Sequence, residues 1–326
     1  MRWKRSFAVV LLAAMATLPA KAQQVTAVTT MAWAEGPTVD VAGNVYFSDV
    51  RSNRIMRYAP NGTLSVYRQP ANNPNGMVIL PGDRLVVCES GDPEAGLLPR
   101  ITETDLSTGA SKVLVDGYEG QRLKAPNDIT YDGKGRIYFT SDERPFFLAP
   151  FPAGAGTPPE VGTVGVYRID PDAKTTRILE FPVIHRPNGI TVSPDDRTLY
   201  TIENDIADDG IRQLLAFDLA TDGTAANKRV LKDFRPGRSG DSIAIDIEGN
   251  IYVAAGLNAL RGTKETLDNK AGIYVFTPKG DLKKFVPVPE DPVTNLTFAG
   301  KDMRTVFVTA GKTLFRFEND IPGLPR

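Results

Sequence analysis

Hydrophobic and polar positions recur along this chain in a fixed order. Each copy opens on a polar side chain in a turn, continues into a short apolar strand, passes a Gly- or Asp-rich turn and ends in a second apolar strand. Aligned on the opening polar residue, the copies start at Glu35, Asn75, Asn127, Asn188, Asp241 and Asn295, spaced by 40, 52, 61, 53 and 54 residues. A period near 50 residues indicates a repeat architecture.

Each of the first five copies continues into a second pair of strands. One example is V-Y-R-I-D-P-D-A-K-T-T-R-I-L, in which residues rich in Val, Ile and Tyr flank a Pro-Asp turn. Such runs are typical of β-hairpins. Six copies of four strands predict an all-β fold, a six-bladed β-propeller with four-stranded blades. The sixth copy is one strand short, and we expect the N-terminal segment 24–33 to supply that strand and close the ring.

The first 22 residues predict a secretory signal peptide. Three of the first five are basic, the apolar run 7–18 is too short to span a bilayer, and residues 20–22 read Ala-Lys-Ala, a small-x-small cleavage site. An uncleaved anchor is the alternative. We therefore expect one propeller domain over residues 23–326, exported to a periplasm or secreted.

Charge and cysteine content narrow the class of partner. Without the leader the chain keeps 34 basic and 39 acidic residues, and this negative balance argues against nucleic acid and against an acidic membrane surface. The one cysteine, Cys88, lies in an apolar strand and has no partner for an internal disulfide. The fold must therefore be stabilised by its hydrophobic core.

The six anchors also predict chemistry. The innermost strand of each propeller blade lines the central channel, so two carboxylates and four carboxamides are expected to converge on the axis. Carboxylate and amide oxygens are the ligands that Ca²⁺ prefers. For a single copy, Pro-Asn-Gly is more simply a turn signal. Six copies in register, with acids at Glu35 and Asp241, favour a divalent-cation site.

The chain resembles the gluconolactonase and regucalcin (senescence marker protein) family of six-bladed metal-dependent lactonases, with diisopropyl fluorophosphatase as a more distant relative. The resemblance covers nearly all of the chain after the leader. Its motifs are A-E-G-P from residue 34, N-P-N-G from 73, Y-E-G-Q-R-L-K-A-P-N-D from 118, R-P-N-G-I from 186, G-D-S from 240 and T-N-L-T-F-A-G from 294.

The resemblance implies one divalent metal ion on the axis, most simply Ca²⁺, with Zn²⁺, Mg²⁺ and Mn²⁺ as alternatives. The residues that match the metal ligands of the family are Glu35, Asn127, Asn188 and Asp241. Asn75 and Asn295 are expected to line the same channel and to contact substrate. Arg122, which precedes the Asn127 strand, is a further substrate-binding candidate, and a surface arginine is the alternative. Ser242 and Ser90 depart from the Gly and His common in the family.

The implied reaction is metal-assisted opening of a sugar lactone, with Asp241 as general base or nucleophile. Two alternatives stay open: hydrolysis of an organophosphate or another lactone at the same site, and a binding propeller without catalysis. A Ser-His-Asp triad would need His185, the one histidine, and the chain has no G-x-S-x-G elbow to pair with it. Two long segments, 143–162 and 257–270, are expected to lie at the rim of the channel, and a surface loop without a role is the alternative for 143–162.

Overall fold

The computed structural model describes residues 25–91, 96–142 and 164–325, and these residues form β-strands with one 3-10 turn at Val50–Ser52. The strands are β1 (Thr26–Thr30), β2 (Ala34–Val39), β3 (Val45–Asp49), β4 (Arg54–Tyr58), β5 (Leu64–Arg68), β6 (Pro74–Leu80), β7 (Arg84–Glu89), β8 (Arg100–Asp105), β9 (Ser111–Val115), β10 (Gly117–Tyr118), β11 (Gln121–Arg122), β12 (Ala125–Tyr131), β13 (Ile137–Asp142), β14 (Gly165–Ile169), β15 (Thr175–Leu179), β16 (Pro187–Val192), β17 (Thr198–Asn204), β18 (Arg212–Leu219), β19 (Ala225–Asp233), β20 (Gly240–Ile245), β21 (Ile251–Ala255), β22 (Gly272–Phe276), β23 (Leu282–Pro287), β24 (Val293–Ala299), β25 (Thr305–Ala310) and β26 (Thr313–Glu318).

Six antiparallel four-stranded sheets form the blades. In chain order they are β2–β5, β6–β9, β12–β15, β16–β19, β20–β23 and β24–β26 with β1, here blades 1 to 6. The first strand of each blade contacts the first strand of both neighbouring blades, so the six inner strands surround one axis. The predicted six-bladed β-propeller is confirmed. The short strands β10 and β11 form a separate hairpin between blades 2 and 3.

The N-terminal strand closes the ring as the sequence predicts. β1 pairs antiparallel with β26, with Thr26 opposite Arg316 and Ala27 opposite Phe315. Blade 6 is therefore built from both ends of the described chain. Without β1 this blade would have three strands, so the pairing completes the blade and ties the two ends of the described chain together.

A repeated hydrogen-bonded turn joins the first two strands of blades 1, 3 and 5. An Asp carboxylate at the end of the first strand accepts a backbone N–H four residues later and the hydroxyl of a Tyr six residues later. Such local bonds satisfy polar groups of the turn and fix the pairing register of the two strands. The pairs are Asp40 with Tyr46, Asp132 with Tyr138 and Asp246 with Tyr252.

Apolar side chains of facing sheets pack between adjacent blades and form the core. Between blades 5 and 6, for example, the rings of Tyr252 and Phe298 lie 5.0 Å apart in an edge-to-face arrangement. No helix among the described residues is long and apolar enough to cross a membrane. The predicted leader, 1–22, and the predicted rim segment, 143–162, lie outside the described residues.

Candidate functional site

The register of every inner strand breaks at its anchor. Pairing with the second strand shifts just after Glu35 in blade 1, and it skips the anchor and the residue after it in blades 2 to 5. A β-bulge of this kind bends the strand and re-aims side chains. The first strand thus carries its polar residue on an irregular piece of backbone at one end of the channel.

The sixth blade corrects the alignment of the repeat. Val293 pairs with Ala310 as Pro126 pairs with Ser141, so the two residues that follow Val293 correspond to Asn127 and Asp128. Thr294 therefore occupies the anchor position, and its hydroxyl donates a 2.8 Å hydrogen bond to the backbone carbonyl of Ala34 in blade 1. Asn295, the predicted sixth anchor, lies one position further into the channel.

The two acidic anchors are close to each other. Glu35 and Asp241 are each only 8% exposed. Burial and the nearby Asp241 carboxylate raise the pKa of Glu35 well above its ordinary value. Burial also raises the pKa of Asp241. Two desolvated carboxylates at one place are costly unless a proton or a cation joins them.

Asn188 stands beside this pair. Its amide nitrogen donates a 2.8 Å hydrogen bond to Oδ1 of Asp241 across the boundary of blades 4 and 5. Asn127 is half-buried in the irregular part of β12. Asn75 is 8% exposed, and its Oδ1 makes no hydrogen bond among the described residues. The structure thus joins Asn188 to Asp241 by a hydrogen bond, brings Glu35 within electrostatic reach of Asp241, and leaves the buried amide oxygen of Asn75 without a donor among the described residues.

These residues fit a divalent cation with oxygen ligands. A cation would compensate the two buried carboxylates, and the amide oxygens of Asn127 and Asn188 would extend an all-oxygen set of the kind Ca²⁺ takes. No group of three His, Cys, Asp or Glu suited to a metal occurs in the described ranges. The candidate site uses two acids with amides, so it does not depend on such a group.

Arg238 is a member of the site that sequence reasoning missed. Its side chain is 4% exposed, and Nη2 forms an ion pair with Oδ2 of Asp241. Its Nη1 lies 3.9 Å from Oε1 of the buried Glu265. Arg238 lies three residues before Asp241 in R-S-G-D, and this short spacing is the signal that the sequence offered, although no other copy has an arginine at that position.

A second set of polar residues lies one position below the anchors. Ser242 donates its hydroxyl to Oδ2 of Asp128 at 2.6 Å, and the amide of Asn295 lies 3.4 Å from Oδ1 of Asp128. Burial raises the pKa of Asp128 to about 6. The departure from glycine at Ser242 therefore supplies a hydrogen bond between blades 5 and 3. We call Asp128, Ser242 and Asn295 the channel floor.

Below the channel floor is an axial cavity of about 120 Å³, lined by residues of all six inner strands.

Blades 1, 2 and 4 have glycines at the channel-floor position, namely Gly36, Gly76 and Gly189. A Cβ at Gly189 would lie 2.5 Å from the Cα of Ser242, and one at Gly36 would lie 2.2 Å from the backbone oxygen of Asn75. Glycine is required there because adjacent inner strands approach too closely for a side chain.

Two other sequence candidates lie outside the inner strands. Arg122 is exposed in the short hairpin strand β11. His185 stacks edge-on against Phe181 at 5.0 Å, and its backbone N–H donates to Glu203 at 2.7 Å. Burial raises the pKa of Glu203 to about 7. Glu203 thus holds the turn that leads into β16, the strand that carries Asn188.

Comparison with known proteins supports the family that the sequence motifs suggest. A gluconolactonase from Zymomonas mobilis is 28% identical over 306 residues, 87% of this chain and 78% of the relative. The solved structure of a gluconolactonase from Xanthomonas campestris has a TM-score of 0.73 and 27% identity, with 92% of this chain and 90% of that chain covered.

Regucalcin from Agrobacterium tumefaciens, a calcium-binding protein, shares the fold at a TM-score of 0.68 and 17% identity, with 92% of this chain and 95% of that chain covered. The family model described as SMP-30/Gluconolactonase/LRE-like region matches residues 33–312, which include all six inner strands. The family resemblance read from the sequence is confirmed. The chain belongs to the SMP-30/gluconolactonase/LRE-like family.

Proposed function

We propose that this protein is a metal-dependent lactonase that opens a sugar lactone at the anchor end of the channel. The observation that carries the proposal is the close pair of buried carboxylates, Glu35 and Asp241, on the propeller axis of a chain from this family. The name of the Zymomonas mobilis relative, a gluconolactonase, supports a gluconolactone-like substrate.

Glu35, Asn127, Asn188 and Asp241 are the proposed ligands of one divalent cation, with Ca²⁺ favoured by their all-oxygen donors. When bound, such an ion polarises the lactone carbonyl and stabilises negative charge on its oxygen. Substrate binding and proton transfer are roles of the protein's own side chains. Asn75 has a buried acceptor suited to a substrate hydroxyl. Asn295 already uses both ends of its side-chain amide: the nitrogen donates to Asp128, and the oxygen accepts from the N–H of Leu296.

Asp241 is the proposed general base or nucleophile. Asn188 and Arg238 contact its two carboxylate oxygens and so fix the plane of the group. Burial raises its pKa, whereas the contacts from Asn188 and Arg238 favour the charged form, as a bound cation would. These contacts orient the carboxylate for attack on the carbonyl or for removal of a proton from water.

The decisive experiment is a panel of sugar, aliphatic and aromatic lactones and an organophosphate ester, each assayed with Ca²⁺, Mg²⁺, Mn²⁺, Zn²⁺ or EDTA. Wild type is compared with Asp241→Asn and with Asp218→Asn, a control at an exposed position. We expect sugar-lactone hydrolysis that is lost in EDTA and in Asp241→Asn only. Activity that survives both changes would contradict the mechanism, and metal binding without any hydrolysis would indicate a binding propeller.

We also propose export, because the basic and apolar pattern of residues 1–22 is that of a signal peptide. N-terminal sequencing of the protein from a periplasmic or secreted fraction tests this. A mature protein that begins at Gln23 is the expected result, and an intact leader on protein retained in the cells would contradict it.

A further inference from the structure

Three buried charged side chains form a chain of contacts that ends at Asp241. Nη2 of Arg238 forms an ion pair with Oδ2 of Asp241, and Nη1 of Arg238 lies 3.9 Å from Oε1 of Glu265. All three residues are buried. One guanidinium therefore lies between two carboxylates, and of these two only Asp241 belongs to the proposed cation site. We call Glu265, Arg238 and Asp241 the ion triad.

The outer member of the ion triad belongs to the segment 257–270, which joins β21 to β22 in blade 5. The hydroxyl of Thr263 donates to Oε2 of Glu265 at 2.8 Å. The side chain of Asn269 donates to the backbone carbonyl of Arg238 at 3.1 Å. The segment is therefore bonded to the connection that carries Arg238, and the fold sets the position of Glu265 relative to the guanidinium.

Arg238 is shared unequally by its two acidic neighbours. Asp241 has the close ion pair, whereas Oε1 of Glu265 is buried and makes no hydrogen bond among the described residues. Nε of Arg238 is also buried without a hydrogen-bond partner in the described ranges. A guanidinium has five N–H donors in a planar fork. Glu265 therefore offers a buried acceptor to a group whose donors are not all used.

Arg238 and a cation at Asp241 compete for the same negative charge. The guanidinium already neutralises the carboxylate that the proposed site gives to a divalent ion. Two positive charges beside one buried carboxylate repel each other more strongly than they would in water. Burial raises the pKa of Asp241, and Arg238 and Arg261 act against that rise. Glu265 opposes the charge of Arg238 from its other side, so it reduces the repulsion that a cation meets.

We propose that Arg238 is a positioning residue that weakens the binding of the cation to Asp241, and that Glu265 limits this effect by acting on Arg238. The inference rests on the proposed cation site and concerns the regulation of its affinity. A carboxylate held by a cation alone is a poor base or nucleophile. Because Arg238 is a second positive partner, Asp241 keeps a compensating charge when one of its oxygens turns toward water or substrate.

Calorimetry of the full chain with Ca²⁺, after dialysis against EDTA and at one fixed pH, tests the proposal without turnover. We expect Arg238→Gln to bind Ca²⁺ at least about tenfold more tightly than wild type, because a like charge beside the ion is removed. Glu265→Gln should bind it at least about fivefold more weakly. Arg238→Lys keeps the charge and should stay within about threefold of wild type. Arg235→Gln, at an exposed arginine of the same connection, is the matched control.

The double variant Arg238→Gln/Glu265→Gln separates an effect through Arg238 from direct attraction of the ion by Glu265. If Glu265 acts through Arg238, its replacement should change Ca²⁺ affinity by less than about twofold once Arg238 is absent. An equal loss of affinity in both backgrounds overturns the role of Glu265. The double variant removes both buried charges, so where Arg238→Gln alone does not fold, tighter Ca²⁺ binding in the double variant than in Glu265→Gln is the expected result.

Steady-state kinetics give a second readout. With the best sugar lactone at saturating Ca²⁺, we expect Arg238→Gln to lower kcat by roughly tenfold although it binds Ca²⁺ more tightly, and Arg238→Lys to keep most of kcat. A residue with a structural role alone would weaken both properties when it is replaced. This opposite movement of affinity and turnover is therefore the signature of a positioning residue.

The outcomes separate this inference from the proposed function. Weaker or unchanged Ca²⁺ binding in Arg238→Gln overturns the inference and leaves the cation site intact. Tighter binding in a protein that hydrolyses no lactone supports the inference, while the lactonase proposal fails. A wild type that binds no Ca²⁺ overturns the proposed cation site and the inference together.

Discussion

The amide of Asn188 donates to Oδ1 of Asp241 at 2.8 Å, and this bond joins two blades at the point where the candidate chemistry lies. An orienting bond of this kind reduces the number of rotamers that the carboxylate samples before reaction. The two residues come from inner strands 53 positions apart in the chain. Their contact therefore depends on the closed ring rather than on either strand alone.

We expect Asn188→Ala to lower kcat/KM for the best sugar lactone by roughly ten- to a hundredfold, because it removes both a proposed cation ligand and the orienting bond to Asp241. Steady-state kinetics at saturating Ca²⁺ provide the measurement, and circular dichroism confirms that the variant folds. Activity within about twofold of wild type would show that Asn188 only supports the turn.

Ca²⁺ should stabilise the protein through Glu35. A ligand present at 100 times its dissociation constant stabilises the folded state by about 2.7 kcal/mol, so thermal unfolding should move upward with added Ca²⁺ and return after EDTA. In Glu35→Gln this shift should be largely lost, since one of two buried charges is removed. Glu248→Gln, at an exposed turn residue, serves as the control. An undiminished shift in Glu35→Gln would place the ion elsewhere.

The stability of the metal-free protein should fall as pH rises because of Asp128. Its pKa is about 6 when folded and 3.8 in the reference state, so the folded state binds the extra proton between these values. The free energy of unfolding therefore declines from about pH 4 to pH 6 and stays lower above it, by roughly 3 kcal/mol.

Asp128→Asn tests this sign directly. In urea unfolding with EDTA, the variant should match wild type near pH 4 and exceed it by roughly 2–3 kcal/mol at pH 7.5, because a neutral amide replaces a buried charge. A variant that is less stable than wild type at pH 7.5 would mean that the hydrogen bond from Ser242 needs a carboxylate.

Gly189→Ala should destabilise the propeller by roughly 1–3 kcal/mol. Its new Cβ would meet the Cα of Ser242 at 2.5 Å and the carbonyl oxygen of Asp241 at 2.7 Å, and backbone atoms have little freedom to move. Gly133→Ala is the matched control, since its Cβ would meet only the mobile end of the Asp196 side chain. Chemical denaturation of both variants measures the difference, and equal losses would refute the packing argument.

The sequence was sufficient to predict the fold because each copy repeats the same local signals, two apolar strands separated by a Gly- or Asp-rich turn. The sequence predicted the residues of the site less completely. Thr294 and Asn295 are adjacent polar residues, and only pairing with β25 decides which one takes the anchor position. Arg238 lies in a connecting segment, between β19 and β20, that has no counterpart in the repeat. Its ion pair with Asp241 depends on how that segment folds, which no linear pattern encodes.

The channel floor divides the inner ring into two kinds of position. Where adjacent inner strands touch, only glycine fits, and those blades can contribute no side chain below the anchors. Blades 3, 5 and 6 hold Asp128, Ser242 and Asn295, the three non-glycine residues at this level. The depth and polarity of the pocket are therefore adjustable from half of the blades, while the other half keep the ring tight. Substitutions that reshape this part of the pocket should be accepted at those three positions and rejected at the glycines.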